Sequence, residues 1–185
     1  SPICLLLIGY EPDALDRAGL RQALGDDPVA FVAGGHSATG DEQQPLDLDA
    51  IRRAIREHAS RISAFAVSGF FSVRNPAHEL AARSLIRELT DLPVTCGHEL
   101  SAKLDAPRRA LTVALNARLI PQLQRLIHAV RALLAEKDIR APLMVVKGDG
   151  SLIDAEMALL RPIETILSGP AASLVGARHL SHMDN

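Results

Sequence analysis

The sequence predicts an α/β fold: a three-layer arrangement with helices flanking a mixed sheet. One observation is that short apolar runs end at glycine, proline or polar turns, as buried strands do. Another is that segments with helical spacing separate these runs, an alternation typical of α/β domains. A third is size, because 185 residues with 48% hydrophobic side chains can bury a core of their own.

Six segments are predicted to contain strands. The first reads ICLLLIG and is apolar at every position before its glycine, as expected for a strand covered on both faces. The sixth, IETIL, is predicted as a strand or a bridge. The six segments are residues 3–9, 28–35, 62–71, 92–96, 141–151 and 163–167.

Capping residues mark the predicted starts of three helices. Asp47 is a favourable N-cap before an apolar pattern of helical spacing. Asn75 and Pro76 predict another helix, with Asn75 as the cap and Pro76 at the first position. Ser151 and Asp154 form an S-x-x-D pair, which resembles a capping box and predicts a short helix.

The longest predicted helix lies near residues 108–136. Leucines recur every three or four residues along it, from Leu111 to Leu133, and define its apolar side. Pro121 lies inside this pattern and removes one backbone hydrogen bond, so we expect a kink or a brief break. A shorter helix is predicted over residues 13–24.

Composition excludes several classes of function. The net charge is −2 and aromatic residues make up 3%, so the chain lacks the basic excess and stacking side chains of general nucleic-acid binders. No apolar run approaches the roughly 20 residues that span a bilayer. Cys4 and Cys96 form no motif, which indicates free thiols in a reducing compartment. We therefore expect a cytoplasmic protein with no membrane or nucleic-acid partner.

The loop VVKGDGS is a candidate ligand site. Its glycines allow a ligand to approach the backbone closely. Lys147 could contact a phosphate or carboxylate, and Asp149 could bind a hydroxyl or a metal. A plain connection between two elements, with exposed charges, explains the same residues equally well.

The turn in ILSGPAASLVGA is a second candidate. Gly169 is predicted to cap a helix whose first residue is Pro170. The N–H groups of Ala171 and Ala172 would then have no partner within the helix. Either an anion or the side chain of Ser168 could accept them.

Three histidines lie near predicted strand ends, namely His36, His78 and His98. One interpretation is a metal or acid/base cluster at the carboxyl edge of the sheet. We expect no metal site, because His78 and Glu79 fall in the first turn of a helix, where Glu79 complements the helix dipole. His98 and Glu99 lie in a loop before the long helix, and their role stays open.

Motifs at four places together resemble one protein family. They read, in order, RNPAHELA, CGHELSAKLDAPRRALTVALNARLIP, MVVKGDGSLIDAEMALLRPIETI and LSGPAASLVGA. The combination is similar to the A-type subunit of the ATP-dependent hydantoinase/oxoprolinase family, which includes N-methylhydantoinase, 5-oxoprolinase and the acetone and acetophenone carboxylases. The resemblance implies part of an actin-like ATPase fold, which has two ribonuclease-H-like halves.

The resemblance also implies an internal segment of a longer enzyme. Family members carry two Asp-x-Gly-Gly-Thr phosphate loops, and neither occurs in this sequence. Residues 1–165 would be the body of the first half-domain, and residues 166–185 a connecting helix toward the second. ATP and a divalent metal would bind to the full-length enzyme, whereas the isolated chain would be inactive. Its partners would be the rest of the polypeptide and a B-type companion subunit.

Site residues and function follow from the same resemblance. Lys147, Asp149, Ser168 and Gly169 would face the nucleotide, and His98, Glu99 and Asn116 would lie on the substrate side. The implied activity is hydrolysis of a cyclic amide, in which ATP activates an amide or carbonyl oxygen. The sequence departs from the commonest family pattern at GPAAS and KGDGS, so hydantoin is not carried over as the substrate. The alternatives are a non-catalytic binding or assembly module and a small metal hydrolase built from the histidines.

Overall fold

The computed structural model describes residues 1–181 as two compact units, one spanning Ser1–Pro121 and one that begins at Gln122. The strands are β1 (Ile3–Ile8), β2 (Val29–Val32), β3 (Ala64–Gly69), β4 (Val94–Cys96), β5 (Met144–Val146) and β6 (Leu152–Asp154). The α-helices are α1 (Leu20–Leu24), α2 (Leu48–His58), α3 (Ala77–Leu89), α4 (Gly97–Leu100), α5 (Ala106–Glu136), α6 (Ala155–Leu160) and α7 (Ser168–Leu180). Two 3-10 helices cover Pro12–Asp16 and Pro162–Thr165.

A four-stranded parallel sheet forms the centre of the first unit. Its strand order is β2-β1-β3-β4. The central pair, β1 and β3, runs in register from Ile3 opposite Ala64 to Ile8 opposite Gly69. Every residue of both strands is buried, which explains why residues 3–8 and 64–67 are continuously apolar rather than alternating.

Each face of this sheet carries its own apolar core. Leu5 and Leu7 of β1 pack with residues of α1 and α5, whereas Leu6 and Ile8 pack with residues of α2 and α3. Burying one such side chain contributes about 1.5–3 kcal/mol. Helices therefore cover both faces, and the predicted α/β class with flanking helices is confirmed.

Helix starts follow the predicted capping residues closely. Asp47 accepts the N–H of Ala50 at 2.8 Å and caps α2 as predicted. Asn75 accepts the N–H of Ala77 at 3.0 Å, but α3 begins at Ala77, one residue later than expected. The helix predicted over residues 13–24 is interrupted, because Gly19 has a φ of 71° and separates a 3-10 helix from α1.

Helix α5 runs without a break through Pro121, so the brief break left open by the sequence does not occur. The side that α5 buries in the first unit consists mainly of small residues such as Ala110, Val113 and Ala117. Of the predicted leucine pattern, Leu111 is partly buried against this core, whereas Leu126 and Leu133 lie beyond Pro121 and are more than half exposed. Small side chains allow α5 to lie close to the sheet.

The second unit adds an antiparallel pair, β5 and β6, with Met144 opposite Asp154. Ser151 does not start a helix as predicted, because a strand follows it directly. Asp154 alone caps α6, and it accepts the N–H of Glu156 at 2.8 Å. The capping-box prediction is therefore correct only for Asp154.

The strand predicted over residues 163–167 is wrong. Pro162 opens a 3-10 helix there, and the Thr165 hydroxyl donates to its carbonyl at 2.7 Å. Leu167 then adopts a φ of 63°, which ends any extended course before α7. The fixed φ of proline favours such a turn over a strand.

The division into half-domains at residues 165 and 166 stays a prediction, and residues 182–185 of its second part lie outside the described range. Within the part of the chain that the structure describes, no helix has the combination of length and apolar character that crossing a membrane requires.

Candidate functional site

The carboxyl edge of the parallel sheet is where the topology predicts a ligand. From β1 the chain passes to β2 on one side and then to β3 and β4 on the other, so β1 and β3 flank the switch point. Glycines bring the loops close together at this edge. A Cβ on Gly9, whose φ is 72°, would lie 2.6 Å from the carbonyl oxygen of Gly34.

Glu79 organises this edge. It lies in the first turn of α3 and is fully buried. Its Oε1 accepts the N–H of Gly69 at 2.6 Å, and its Oε2 accepts the N–H of His98 at 2.9 Å. The carboxylate therefore links the ends of β3 and β4, and the interpretation that it only complements the helix dipole is wrong.

His98 forms a side-chain pair with Glu79. Its Nδ1 lies 2.5 Å from Glu79 Oε2. Since both Glu79 oxygens already accept a backbone N–H, Nδ1 is the donor of this pair, and Nε2 of the neutral ring carries a lone pair. The His98 side chain is 18% exposed, whereas its partner carboxylate has no exposure. The pair thus has a buried end and an accessible end.

A buried guanidinium lies beside this pair. Arg109, in the first turn of α5, donates to the carbonyl of Gly69 at 2.8 Å and to that of Lys103 at 2.9 Å. Gly97 separates it from Glu79: a Cβ there would lie 3.1 Å from Arg109 Cγ and 3.2 Å from Glu79 Oε1. The two opposite charges therefore lie on either side of one glycine.

Tyr10 extends the polar cluster to the end of β1. Its hydroxyl donates to the carbonyl of Ala106 at 2.9 Å and lies 2.8 Å from Ser68 Oγ. Since Tyr10 uses its one proton on the carbonyl, Ser68 is the donor in that contact. Burial raises the pKa of Tyr10 to about 12, which keeps the phenol neutral.

Cys96 brings a thiol to the same place. A Glu79 oxygen, Cys96 Sγ and a His98 nitrogen lie within 4.8 Å of one another, a grouping of metal-ligand types found once among residues 1–181. Cys96 Sγ donates to the Glu79 carbonyl at 3.7 Å, and burial raises the pKa of the thiol. The Nδ1–Oε2 hydrogen bond also engages two of the atoms that would bind an ion. In this structure these side chains form a hydrogen-bonded network.

The other two substrate-side candidates have structural contacts. Glu99 forms an ion pair with Arg83 of α3. Asn116 of α5 is fully buried, and its Nδ2 donates to Thr95 Oγ1 on β4 at 3.1 Å. His98 is bonded to a buried carboxylate and its side chain is partly exposed. The substrate-side role of all three residues stays a prediction.

His36 and His78 lie together at the end of β2, apart from the Glu79–His98 pair. His78 Nδ1 accepts the N–H of Gly35 at 2.9 Å, so its Nε2 donates to Glu42 at 2.9 Å. The His36 ring centroid lies 4.3 Å from that of His78, and burial together with His78 lowers the pKa of His36. These contacts fix the loop between β2 and α2.

Arg109 is a functional-site candidate that sequence reasoning missed, and Glu79 is one that it assigned to the helix dipole. Their position on the buried face of a helix could have identified them. Glu79 lies three and seven positions before Ala82 and Ile86, which are buried, and Arg109 lies four before Val113, which is buried too. A charged residue in phase with a buried face requires a partner inside the protein.

In the second unit, Lys147 and Asp149 are paired with neighbours. Lys147 Nζ lies 3.4 Å from Asp149 and 3.3 Å from Glu164, and the bond to Glu164 is the main reason that the pKa of Lys147 is raised. Hydrogen bonds from Ser151 lower the pKa of Asp149 to about 2. A phosphate would therefore compete with two carboxylates for Lys147.

The N-terminus of α7 lies beside this loop but differs in detail from the prediction. The helix begins at Ser168, not at Pro170, and Leu167 is the N-cap. No side-chain cap forms, and Ala171 donates its N–H to Leu167 at 3.2 Å, so the prediction that Ala171 lacks a partner is wrong. The first-turn amides are those of Ser168 and Gly169, since proline has none.

Glycine packing joins this turn to the Lys147–Ser151 loop. Gly148 donates its N–H to the Glu164 carbonyl at 2.8 Å, and a Cβ on Gly148 would lie 2.4 Å from the Ile166 carbonyl oxygen. The two candidate nucleotide loops therefore contact each other within the second unit. Their role in binding a nucleotide stays a prediction.

The layered unit, with helices on both faces of a parallel sheet, defines an α/β protein. Residues 6–90 match the model of the hydantoinase/oxoprolinase N-terminal region, and residues 109–185 match the hydantoinase/oxoprolinase model. The chain belongs to the hydantoinase/oxoprolinase family.

Similar proteins agree with this assignment. The chain is 34% identical to caprolactamase subunit alpha of Pseudomonas jessenii over 77% of its own length and 21% of the relative. It is 28% identical to the acetophenone carboxylase gamma subunit of Aromatoleum aromaticum over 78% of its length and 20% of the relative. The crystal structure of the ATP-dependent caprolactamase from P. jessenii superposes on 91% of this chain and 27% of that one, with a TM-score of 0.78 and 28% identity. The chain thus spans about a fifth of the length of its curated relatives.

Proposed function

We propose that this chain is part of an ATP-dependent enzyme that opens cyclic amides. The observation that carries the proposal is the Glu79–His98 pair at the carboxyl edge of a parallel sheet, in a chain related to an ATP-dependent caprolactamase. Such an edge is where α/β enzymes place their ligands. Cyclic amides are poor electrophiles, and ATP supplies the activation of the amide or carbonyl oxygen.

The second unit is the proposed nucleotide side. The first-turn amides of α7 can donate to a phosphate oxygen, and a Cβ on Gly169 would meet nothing within 4 Å, so the approach is open. Asp149 and Glu164 are carboxylates that could hold a divalent metal, with Lys147 between them. The two carboxylates and Lys147 together fit a phosphate with a bound divalent metal better than a phosphate alone.

The proposal extends to partners and location. The relatives' names include an alpha and a gamma subunit, which supports a companion subunit of the B type. The rest of a longer polypeptide would complete the site, and this chain alone would not turn over ATP. Cys4 and Cys96 are buried free thiols, which fits a reducing compartment such as the cytoplasm.

An activity assay tests the proposal. The protein is produced from its complete reading frame together with any adjacent companion subunit, and incubated with caprolactam, 5-oxoproline or hydantoin, with and without ATP and magnesium. We expect ring-opened product only when ATP is present, with ADP or AMP formed in proportion. Ring opening without ATP, or no ring opening of any cyclic amide, would contradict it.

A non-catalytic binding or assembly module is the alternative. It is favoured by exposed apolar side chains on α7, where Leu174 and Leu180 are 73% and 79% exposed. A protein that binds a companion subunit stably but never consumes ATP would support this alternative.

A further inference from the structure

We propose that His98 is a proton-transfer residue whose Nε2 takes a proton from an O–H or N–H of a small polar substrate, and that Glu79 is its positioning residue. The inference deepens the proposed function and rests on it. It also assigns a role to a carboxylate whose place in the first turn of α3 indicates by itself only a helix-dipole contribution.

The hydrogen bonds fix the tautomer of His98. Glu79 Oε1 is held by the N–H of Gly69, and Oε2 by the N–H and Nδ1 of His98. With Nδ1 as a donor, the lone pair of the neutral imidazole lies on Nε2. A carboxylate that orients a histidine in this way is the arrangement found in acid/base catalysis by imidazole.

The position of the pair suits a substrate. His98 follows β4, and Gly69, held by the same carboxylate, ends β3 at the switch point of the sheet. Nδ1 faces the buried carboxylate, and the His98 side chain is 18% exposed. The proposal places the substrate on the Nε2 side of the ring. The edge therefore presents a proton acceptor whose direction is set by a buried group.

The proton balance is simple. A substrate O–H or N–H bond breaks, its electron pair stays on the substrate atom, and Nε2 gains the proton. The resulting imidazolium is stabilised by Glu79, and its proton passes to a leaving nitrogen or to bulk water. The charged and titratable groups around His98 are Glu79 and Arg83 from α3, Cys96 from β4, Glu99 from α4 and Arg109 from α5.

Nitrogen-15 NMR of the histidine rings tests the geometry without any activity. The His98 resonance is assigned by its loss in His98→Asn. We expect Nδ1 to carry the proton and Nε2 to be unprotonated in the neutral ring, with no change on adding Zn²⁺. A proton on Nε2, or a zinc-dependent shift of Nδ1 that Cys96→Ser abolishes, would overturn the inference in favour of a metal site.

Kinetics of the complete enzyme test the role. Asparagine places an N–H donor near the position of Nδ1 but offers no proton acceptor at Nε2, so His98→Asn keeps the bond to Glu79. We expect kcat for ring opening to fall by about 10²–10⁴-fold and the limb of the pH–rate profile due to His98 to disappear. The exposed His128 on α5 provides the matched control, and His128→Asn should change neither.

The outcomes separate the two proposals. An active wild-type enzyme with an unchanged rate and pH profile in His98→Asn overturns this inference only. A wild-type enzyme without ATP-dependent ring opening overturns the proposed function and, with it, the role assigned to His98. Unfolding of His98→Asn is checked by its melting temperature, and in that case the NMR result for the wild-type chain decides.

Discussion

Buried polar side chains hold the carboxyl edge together at the scale of single residues. Glu79 and Arg109 each bond two backbone groups from different parts of the chain, and Tyr10 links the Ala106 carbonyl to the Ser68 hydroxyl. The sequence identifies such residues only through their helical phase, which places them on the buried face of a helix. Their residue types are the same as those of exposed residues. His98 was a candidate from the sequence, but its partner Glu79 was not identifiable there, because it lies 19 positions away in the sequence.

Replacing Glu79 should destabilise the fold. In the wild type the N–H groups of Gly69 and His98 each donate to a Glu79 carboxylate oxygen. In Glu79→Gln one of these two oxygens is replaced by an N–H₂ group, which cannot accept. One buried donor then loses its acceptor, at a cost of about 1–3 kcal/mol in the free energy of unfolding, measured by urea denaturation. Glu88, exposed on the same helix, is the control, and equal losses for Glu79→Gln and Glu88→Gln would contradict this account.

Tyr10 predicts a pH dependence of stability. Its pKa is about 12 in the folded protein against 10.0 for the free side chain, so the unfolded chain loses this proton first as the pH rises. The contribution of Tyr10 is therefore fully present below about pH 10 and is lost between about pH 10 and 12.

The measurement is direct because Tyr10 is the single tyrosine of the chain, which has no tryptophan. Phenolate absorbance should show a midpoint near 12 in the native protein and near 10.0 in urea. A native midpoint equal to that of the unfolded chain would show that the hydroxyl is not buried against Ala106.

Among the strands and helices, those with a distinct local sequence pattern could be predicted from the sequence alone. The continuous apolar runs of β1 and β3 identify strands covered on both faces, and Asp47 identifies the start of α2. The strand prediction for residues 163–167 is wrong because five residues of mixed character show no hydrophobic periodicity, and Pro162 sets the local conformation. The buried side of α5 was predicted incompletely, because small residues such as Ala110 and Ala117 form its fully buried part while Leu111 is only partly buried.

The cap of α2 gives a testable energy. Asp47 accepts the N–H of Ala50, and Asp47→Ala leaves that donor without its side-chain acceptor. We expect a loss of about 0.5–2 kcal/mol in the free energy of unfolding. Asp49, two residues later and largely exposed, makes no such cap, so Asp49→Ala should cost less. The reverse order of the two losses would refute the assignment of the cap.

For the whole molecule, the family was recognisable from motifs spread along the chain, whereas the division into two compact units at Pro121 was not. The long helix α5 gives a continuous pattern across that boundary, so its sequence carries no linker signal. Contacts that define the units join residues far apart in sequence, such as Arg118 with Asp27, and no local pattern reports them. The nucleotide role of the second unit likewise rests on Lys147, Asp149, Ser168 and Gly169, which the family resemblance alone assigns to the nucleotide.

The Michaelis constant for ATP of the complete enzyme tests whether the N-terminus of α7 faces the nucleotide. Helix α7 holds two glycines, Gly169 at its N-terminus and Gly176 in its middle, and an added Cβ meets nothing within 4 Å at either. Both valine variants should therefore fold, at a similar cost in helix propensity. If the first-turn amides of α7 face the nucleotide, Gly169→Val raises the Michaelis constant about tenfold or more, equivalent to about 1.4 kcal/mol, whereas Gly176→Val leaves it unchanged. An unchanged constant in Gly169→Val, or an equal rise in both variants, would contradict the claim that this chain supplies part of an ATP site.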